Sequence, residues 1–200
     1  TDIVALTNDI KNNAQYVVNE WESYKASFRS NNASNAVGSS VSNLVNGLCS
    51  YYETYIRKGK LGLPLGVFNQ FTQDIDPTLV ECYFHQESLP FIVASMDAMK
   101  KYINGVSFNG NTNGLGLDDY INHVGATQNS SSLSTVISAQ IDLVIANTEA
   151  LNDPLSNELL ANEAGVMDAY QTMQQLVPYM KNDMVSALGV EITYQDNDGD

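Results

Sequence analysis

The sequence predicts an all-α protein, an up-down helical bundle of four to five long helices, and three observations carry that reading. The first and last long segments place apolar residues three and four positions apart without a break, the period of a helix with one buried face. No stretch alternates strands with helices as a βαβ unit would. Glycine, asparagine and proline gather between the periodic segments, where turns belong.

In the first segment Ile3, Leu6, Ile10, Ala14, Val17, Trp21, Tyr24 and Phe28 form one stripe with charge on the other side, the pattern of a core helix. A polar link follows from Ser30 to Ser40. The second helix is expected over 41–58 with Leu44, Leu48, Tyr51, Tyr52 and Tyr55. Asp76-Pro77-Thr78 is a good helix start, and a third helix is expected over 79–87. It bends or breaks near Pro90 and resumes through Phe91, Met96, Met99 and Ile103. Asn104 to Gly116 is a glycine/asparagine loop, and a short helix over 117–124 has Asp118 and Asp119 in its first turn. The next helix covers 133–151 and turns Leu133, Ile137, Ile141, Val144 and Leu151 inward. The last runs over 163–188 on Val166, Tyr170, Met173, Val177, Met180 and Met184. Pro178 kinks it or interrupts its hydrogen bonds, and Gly189 ends it. Val190 to Tyr194 alternates like a short strand or an extended tail. The methionine and tyrosine stripes read as core.

Two hundred residues with 44% hydrophobic content suffice for one helical-bundle domain over 1–200. A formal charge of −14 argues against nucleic acid and anionic membrane surfaces as partners. No run approaches the ~20 apolar residues of a transmembrane helix. Abundant Asn, Ser and Gln with scarce Lys suit an extracytoplasmic protein. The start at Thr1-Asp2, in mid-pattern and without Met, is expected of a processed product or a fragment.

The most informative stretch is Tyr51 to Phe68, YYETYIRKGKLGLPLGVF. Three of the nine basic residues, Arg57, Lys58 and Lys60, fall within four positions of it. Glu53 and Arg57 are spaced i,i+4, so they share a helix face, and Lys60 adds charge at a helix C-terminus. The glycines allow close backbone approach or positive φ, and Pro64 stiffens the path. Such a loop is either a packed corner or a ligand site.

Two cysteines, Cys49 and Cys82, are spaced for neither zinc nor a redox motif. On helices flanking the corner they could form a disulfide in an oxidising compartment or remain free thiols. Glu81 and His85 share i,i+4 spacing, as do Asp119 and His123. Either pair could contribute two ligands to iron or zinc, or be a surface contact. The terminal Asp196-Asn197-Asp198-Gly199-Asp200 lacks the glycine position and the twelfth-position Glu of an EF-hand, and reads as a solvated acidic tail. No nucleophile elbow or phosphate-binding glycine signature is present.

Four segments in order, NGLCSYYETYIRKGKLGLPLGVF, DPTLVECYFHQESLPF, GLGLDDYINHVGA and YMKNDMVSALGVEITYQDNDGD, resemble the second half of imelysin-family proteins, also called insulin-cleaving membrane peptidases. They cover most of Ser39 to Asp200. The resemblance implies half of a two-bundle architecture, with the first half of the same protein, or a paired bundle, as partner. It also implies an exported bacterial protein of the periplasm or outer membrane, often a lipoprotein, linked to iron or haem uptake. The family's peptidase signature, Gly-x-His-x-x-Glu, belongs to the first half and is absent here. His85 is followed by Gln86-Glu87-Ser88 and His123 by Val124-Gly125-Ala126. A metallopeptidase is therefore expected only if a first half completes the site; a structural module of an envelope complex is the other alternative to ligand binding. The resemblance places the suspected site at the glycine corner and the helix after it. The expected ligand-binding residues are Glu53, Arg57, Lys60, Gly66, Glu81, Tyr83 and Ser88, with His85 and Glu81 as metal ligands. A haem propionate, chelated iron or small anionic ligand would suit Arg57 and Lys60.

Overall fold

The computed structural model describes residues 2–31, 34–69 and 72–195. The expectation of an acidic tail at Asp196–Asp200 therefore lies outside the described residues. The fold is mostly helical, as the apolar periodicity requires. Helix α1 spans Ile3–Ser30 and α2 Ser40–Tyr51; α2 runs on without a break into a π-helical segment, Tyr52–Gly62. After a 3₁₀ turn at Pro77–Leu79 come α3 (Leu89–Ile103) and α4 (Leu117–His123). A two-residue hairpin, β1 (Thr127–Gln128) with β2 (Ser131–Ser132), leads into α5 (Leu133–Glu149). The chain closes with α6 (Leu155–Ala161), α7 (Glu163–Val177), a second π-helical segment (Pro178–Met184) and α8 (Val185–Ala187).

Helix α5 is the central post, packed between α3 and α7, and α7 leans on the first π segment. The inward set expected of α5 is observed: Leu133, Ile137, Ile141, Val144 and Leu151 are all buried, in one core with Met96 of α3 and Met173 of α7. Polar anchors fix the helices axially. Gln140 Nε2 donates to Thr172 O at 2.8 Å, and the Tyr52 hydroxyl donates to Met173 O at 2.7 Å. The second π segment starts at Pro178, which has no N–H for the preceding turn; the helix widens there instead of ending. Gly189 takes φ +63° and stops the helical path; residues 190–193 form no regular element and 194 lies at a bend, so the strand alternative is not realised.

Three expectations need correction. Residues 80–88 form turns, and the helix expected over 79–87 is absent: Cys82 and Gln86 adopt φ +57° and +64°, which no helix accommodates. The inward face of α2 is Val45, Leu48 and Cys49, whereas Tyr51 and Tyr55 point to solvent. Helix α1 forms where expected, capped by Asp2 on Val4 N–H at 3.0 Å, but none of its residues is buried. Helix α6 had no strong periodic signal and was not anticipated; it packs on the 3₁₀ turn and on α7.

Candidate functional site

The corner after α2 is built from a widened helix and two glycines. An added Cβ on Gly62 would stand 2.3 Å from the Phe68 ring, so glycine there lets the ring lie against the π segment. Gly66 has φ +73°, and a Cβ on it would meet Asp74 O at 2.3 Å. The chain thus folds back and sets Phe68 beneath two cations. The Arg57 guanidinium carbon is 5.4 Å from its ring centre and Lys58 Nζ 4.9 Å, while Tyr170 meets the same ring edge-on at 6.4 Å.

Behind Phe68 lies a buried charge cluster spanning both π segments. The Glu53 carboxylate, on the first, accepts from Lys181 Nζ of the second at 3.3 Å and from the Tyr194 hydroxyl, with Arg57 at 3.9 Å. Arg57, 3% exposed, donates to the Gln174 side-chain oxygen and, at 3.5 Å, to the Tyr170 hydroxyl. A buried ion pair needs such hydrogen bonds to offset its desolvation. Burial, with a smaller push from Glu53 that Lys181 opposes, lifts the nearby Cys49 thiol to about 12. The Tyr194 hydroxyl is raised above its ordinary value by burial first and then by its hydrogen bond to Glu53. Lys60, also buried, pairs with Glu81 and ties the first π segment to the turn that follows.

The expected site residues thus divide. Glu53, Arg57 and Lys60 converge at the corner, and Glu81 joins them through Lys60. Gly66 shapes the turn. Ser88 is buried; its hydroxyl donates to Glu81 O at 2.5 Å and its N–H to Asp153 Oδ1 at 3.2 Å, so it anchors the turn to the start of α6. Tyr83 meets the exposed Phe84 edge-on, with ring centres 5.2 Å apart. With no helix at 79–87, Glu81 and His85 lose the shared face that motivated pairing them. His85 Nε2 instead lies 3.1 Å from Glu87 Oε2. Asp119 Oδ2 accepts from Gly116 N–H at 3.0 Å and caps α4. Among the described residues no group of three His, Cys, Asp or Glu side chains is placed to hold a metal ion. Cys49 is buried and Cys82 exposed, and both are free thiols; the disulfide alternative is not realised.

Sequence reading missed Phe68, Gln174, Lys181 and Tyr194. One signal was available: Lys181 is the only Lys or Arg after Lys101, and it directly follows Met180 of the inward apolar stripe. A lone cation in such a place calls for a buried partner.

Fold and corner together define a class, an all-α bundle whose charged corner is buried between two widened helical segments. The family model described as Imelysin (peptidase M75) matches residues 1–178, and the chain belongs to the imelysin family. The matched span includes α1, which the four resembling segments do not reach. It stops at Pro178, short of the closing segment with Lys181 and Tyr194. No curated protein and no solved structure was found to match the chain. No helix among the described residues is long and apolar enough to cross a membrane.

Proposed function

We propose that this chain is the ligand-binding part of an exported, cell-envelope imelysin-family protein serving iron or haem acquisition, and that the cationic corner reads a carboxylate of the ligand. The observation that supports this reading is a local reversal of charge. Among the described residues, four cations (Arg57, Lys58, Lys60 and Lys181) gather with two carboxylates, Glu53 and Glu81, in a chain of formal charge −14. A positive locale in an acidic protein concentrates anionic ligands. Glu53 and Arg57, both buried and mutually paired, hold the frame. Lys58, half-buried at its edge, and the buried Lys60 are assigned to the ligand, Lys60 by exchanging Glu81 for a ligand carboxylate. The half-buried Phe68 face beside Lys58 offers a planar macrocycle an aromatic surface.

The test is titration of the purified chain with haemin and with ferric citrate, followed by absorbance and tryptophan emission, for the wild type and for Lys58→Gln/Lys60→Gln. The expected result is saturable binding of one probe, weakened about tenfold or more in the variant, or about 1.4 kcal/mol. Absence of binding to both probes, or equal affinity in a variant that melts like the wild type, removes the reading.

A further inference from the structure

Helix α7 bridges the α2–π rod to α5, and α5 bridges to α3. Helix α3 touches the π part of the rod, and its Tyr102 hydroxyl donates to Leu44 O of α2 at 3.5 Å; between them α2 and α3 flank a surface groove of about 410 Å³. Gly47 and Ala98 give it a small-residue floor, Leu48 and Met99 an apolar one, and Tyr51 and Tyr102 its walls. At Gly47 an added Cβ would meet no atom within 4 Å, so the space above the floor is empty. Small residues on two helix faces let a third helix approach closely by ridge-into-groove packing.

The same chain holds a helix without a partner. Helix α1 has 28 residues, about 42 Å at ~1.5 Å per residue. Its apolar stripe is 44–76% exposed from Ile3 to Trp21 wherever a large side chain stands on it. An isolated helix is marginal in water unless its apolar face is packed. Its own groove is out of reach, because the exit of α1 is pinned. Ser40 N–H donates to Asn31 O at 2.8 Å, the Ser40 hydroxyl to Phe28 O, and Asn35 Nδ2 to Leu188 O at the end of the bundle. The apolar path is nevertheless continuous. Phe28 at the root of α1 shares a cleft with Leu44, and Leu44 also lines the groove.

We propose that a second copy of this chain supplies the missing partner: α1 of each copy lies in the α2/α3 groove of the other, a reciprocal exchange across a two-fold axis. One contact then satisfies both an uncovered stripe and an open groove, twice over. Charge permits the approach. Helix α1 carries three carboxylates (Asp9, Glu20, Glu22) and three cations (Lys11, Lys25, Arg29), a net charge of zero in a chain of −14. It can therefore enter another acidic copy without adding to the repulsion.

The experiment is light scattering coupled to gel filtration on the full 200-residue chain from about 1 to about 200 µM, a range that brackets ordinary dimer affinities. Two variants accompany it, each checked for wild-type helicity: a stripe variant, Ile10→Glu/Val17→Glu, and a groove variant, Gly47→Glu/Ala98→Glu. The expected result is a wild-type dimer and a monomer for each variant, with a one-to-one complex when the two variants are mixed, because one intact stripe then meets one intact groove. A wild type monomeric across the range overturns the proposal, whether α1 folds back, stays bare or takes another partner. A dimer that survives the groove variant overturns it as well.

Discussion

In α1, Ile3, Leu6, Ile10 and Val17 step along one face at three-, four- and seven-residue intervals and stand 53–76% exposed. In α7, Val166, Tyr170, Met173 and Val177 step in the same way and are no more than 8% exposed. The periodic signal is equal, and the difference lies in what surrounds each helix. Helix α7 meets α5 on one side and the first π segment on the other, with hydrogen bonds from Tyr52 and Gln140 to its backbone carbonyls. Helix α1 leaves the end of the bundle through a pinned link and packs extensively against neither. Amphipathic spacing therefore says that a face will be covered; the partner is chosen by connections and by packing elsewhere in the chain.

The largest effect that separates the two helices should come from cavities. Met173→Ala removes a fully buried side chain and should cost about 2–5 kcal/mol in urea unfolding. Ile10→Ala, measured where the chain is monomeric, should stay within about 0.5 kcal/mol. Equal costs in the monomer would mean that α1 is covered within its own chain, and the contrast would collapse.

Charge offers the next comparison. Arg57→Ala strips the buried Glu53 of one partner and the Gln174 oxygen of its donor, a loss of about 3 kcal/mol. The exposed Lys25–Glu22 pair on α1 is worth at most about 1 kcal/mol, so Lys25→Ala should barely move the midpoint. If Arg57→Ala melts like the wild type while haemin binding is lost, Arg57 is a ligand residue and not the frame of the corner.

The thiols give a kinetic version of the same contrast. Cys82 lies exposed and should react with a disulfide reagent at pH 8 within minutes. Cys49 is buried, with its thiol pushed up to about 12, and should react only once the chain is unfolded. Two fast thiols in native protein would mean that α2 opens readily.

The smallest expected effect is on acid stability. Hydrogen bonds from Asn162 first, and then from Asn152, hold the Glu158 carboxyl below its ordinary value at the α6–α7 junction. A carboxylate depressed in the folded state contributes stability above its unfolded pKa, near 4.3, and that contribution fades as pH falls through the folded value. The urea midpoint should therefore decline below about pH 4, and Glu158→Gln should flatten the decline. An unchanged slope in the variant would assign acid sensitivity to other groups.

Local chemistry alone determined much of this protein: where most helices lie, that glycine and proline turn the chain after α2, and that Pro178 disturbs the last helix. These follow from side-chain period and backbone freedom, which act within a few residues. Glu53 and Arg57 could also be read as partners, since four residues separate them. Tertiary structure decided the rest. The Asp76-Pro77 start yields only a 3₁₀ turn, because the Lys60–Glu81 pair and the Ser88 hydroxyl hold the next residues in a folded turn. Lys181 and Tyr194 complete the cluster from more than 120 positions away. The stripe of α1 stays outside because its link is tied to Leu188 at the far end of the chain. Each outcome depends on residues distant in sequence meeting in space, and periodicity along a chain carries no information about such meetings.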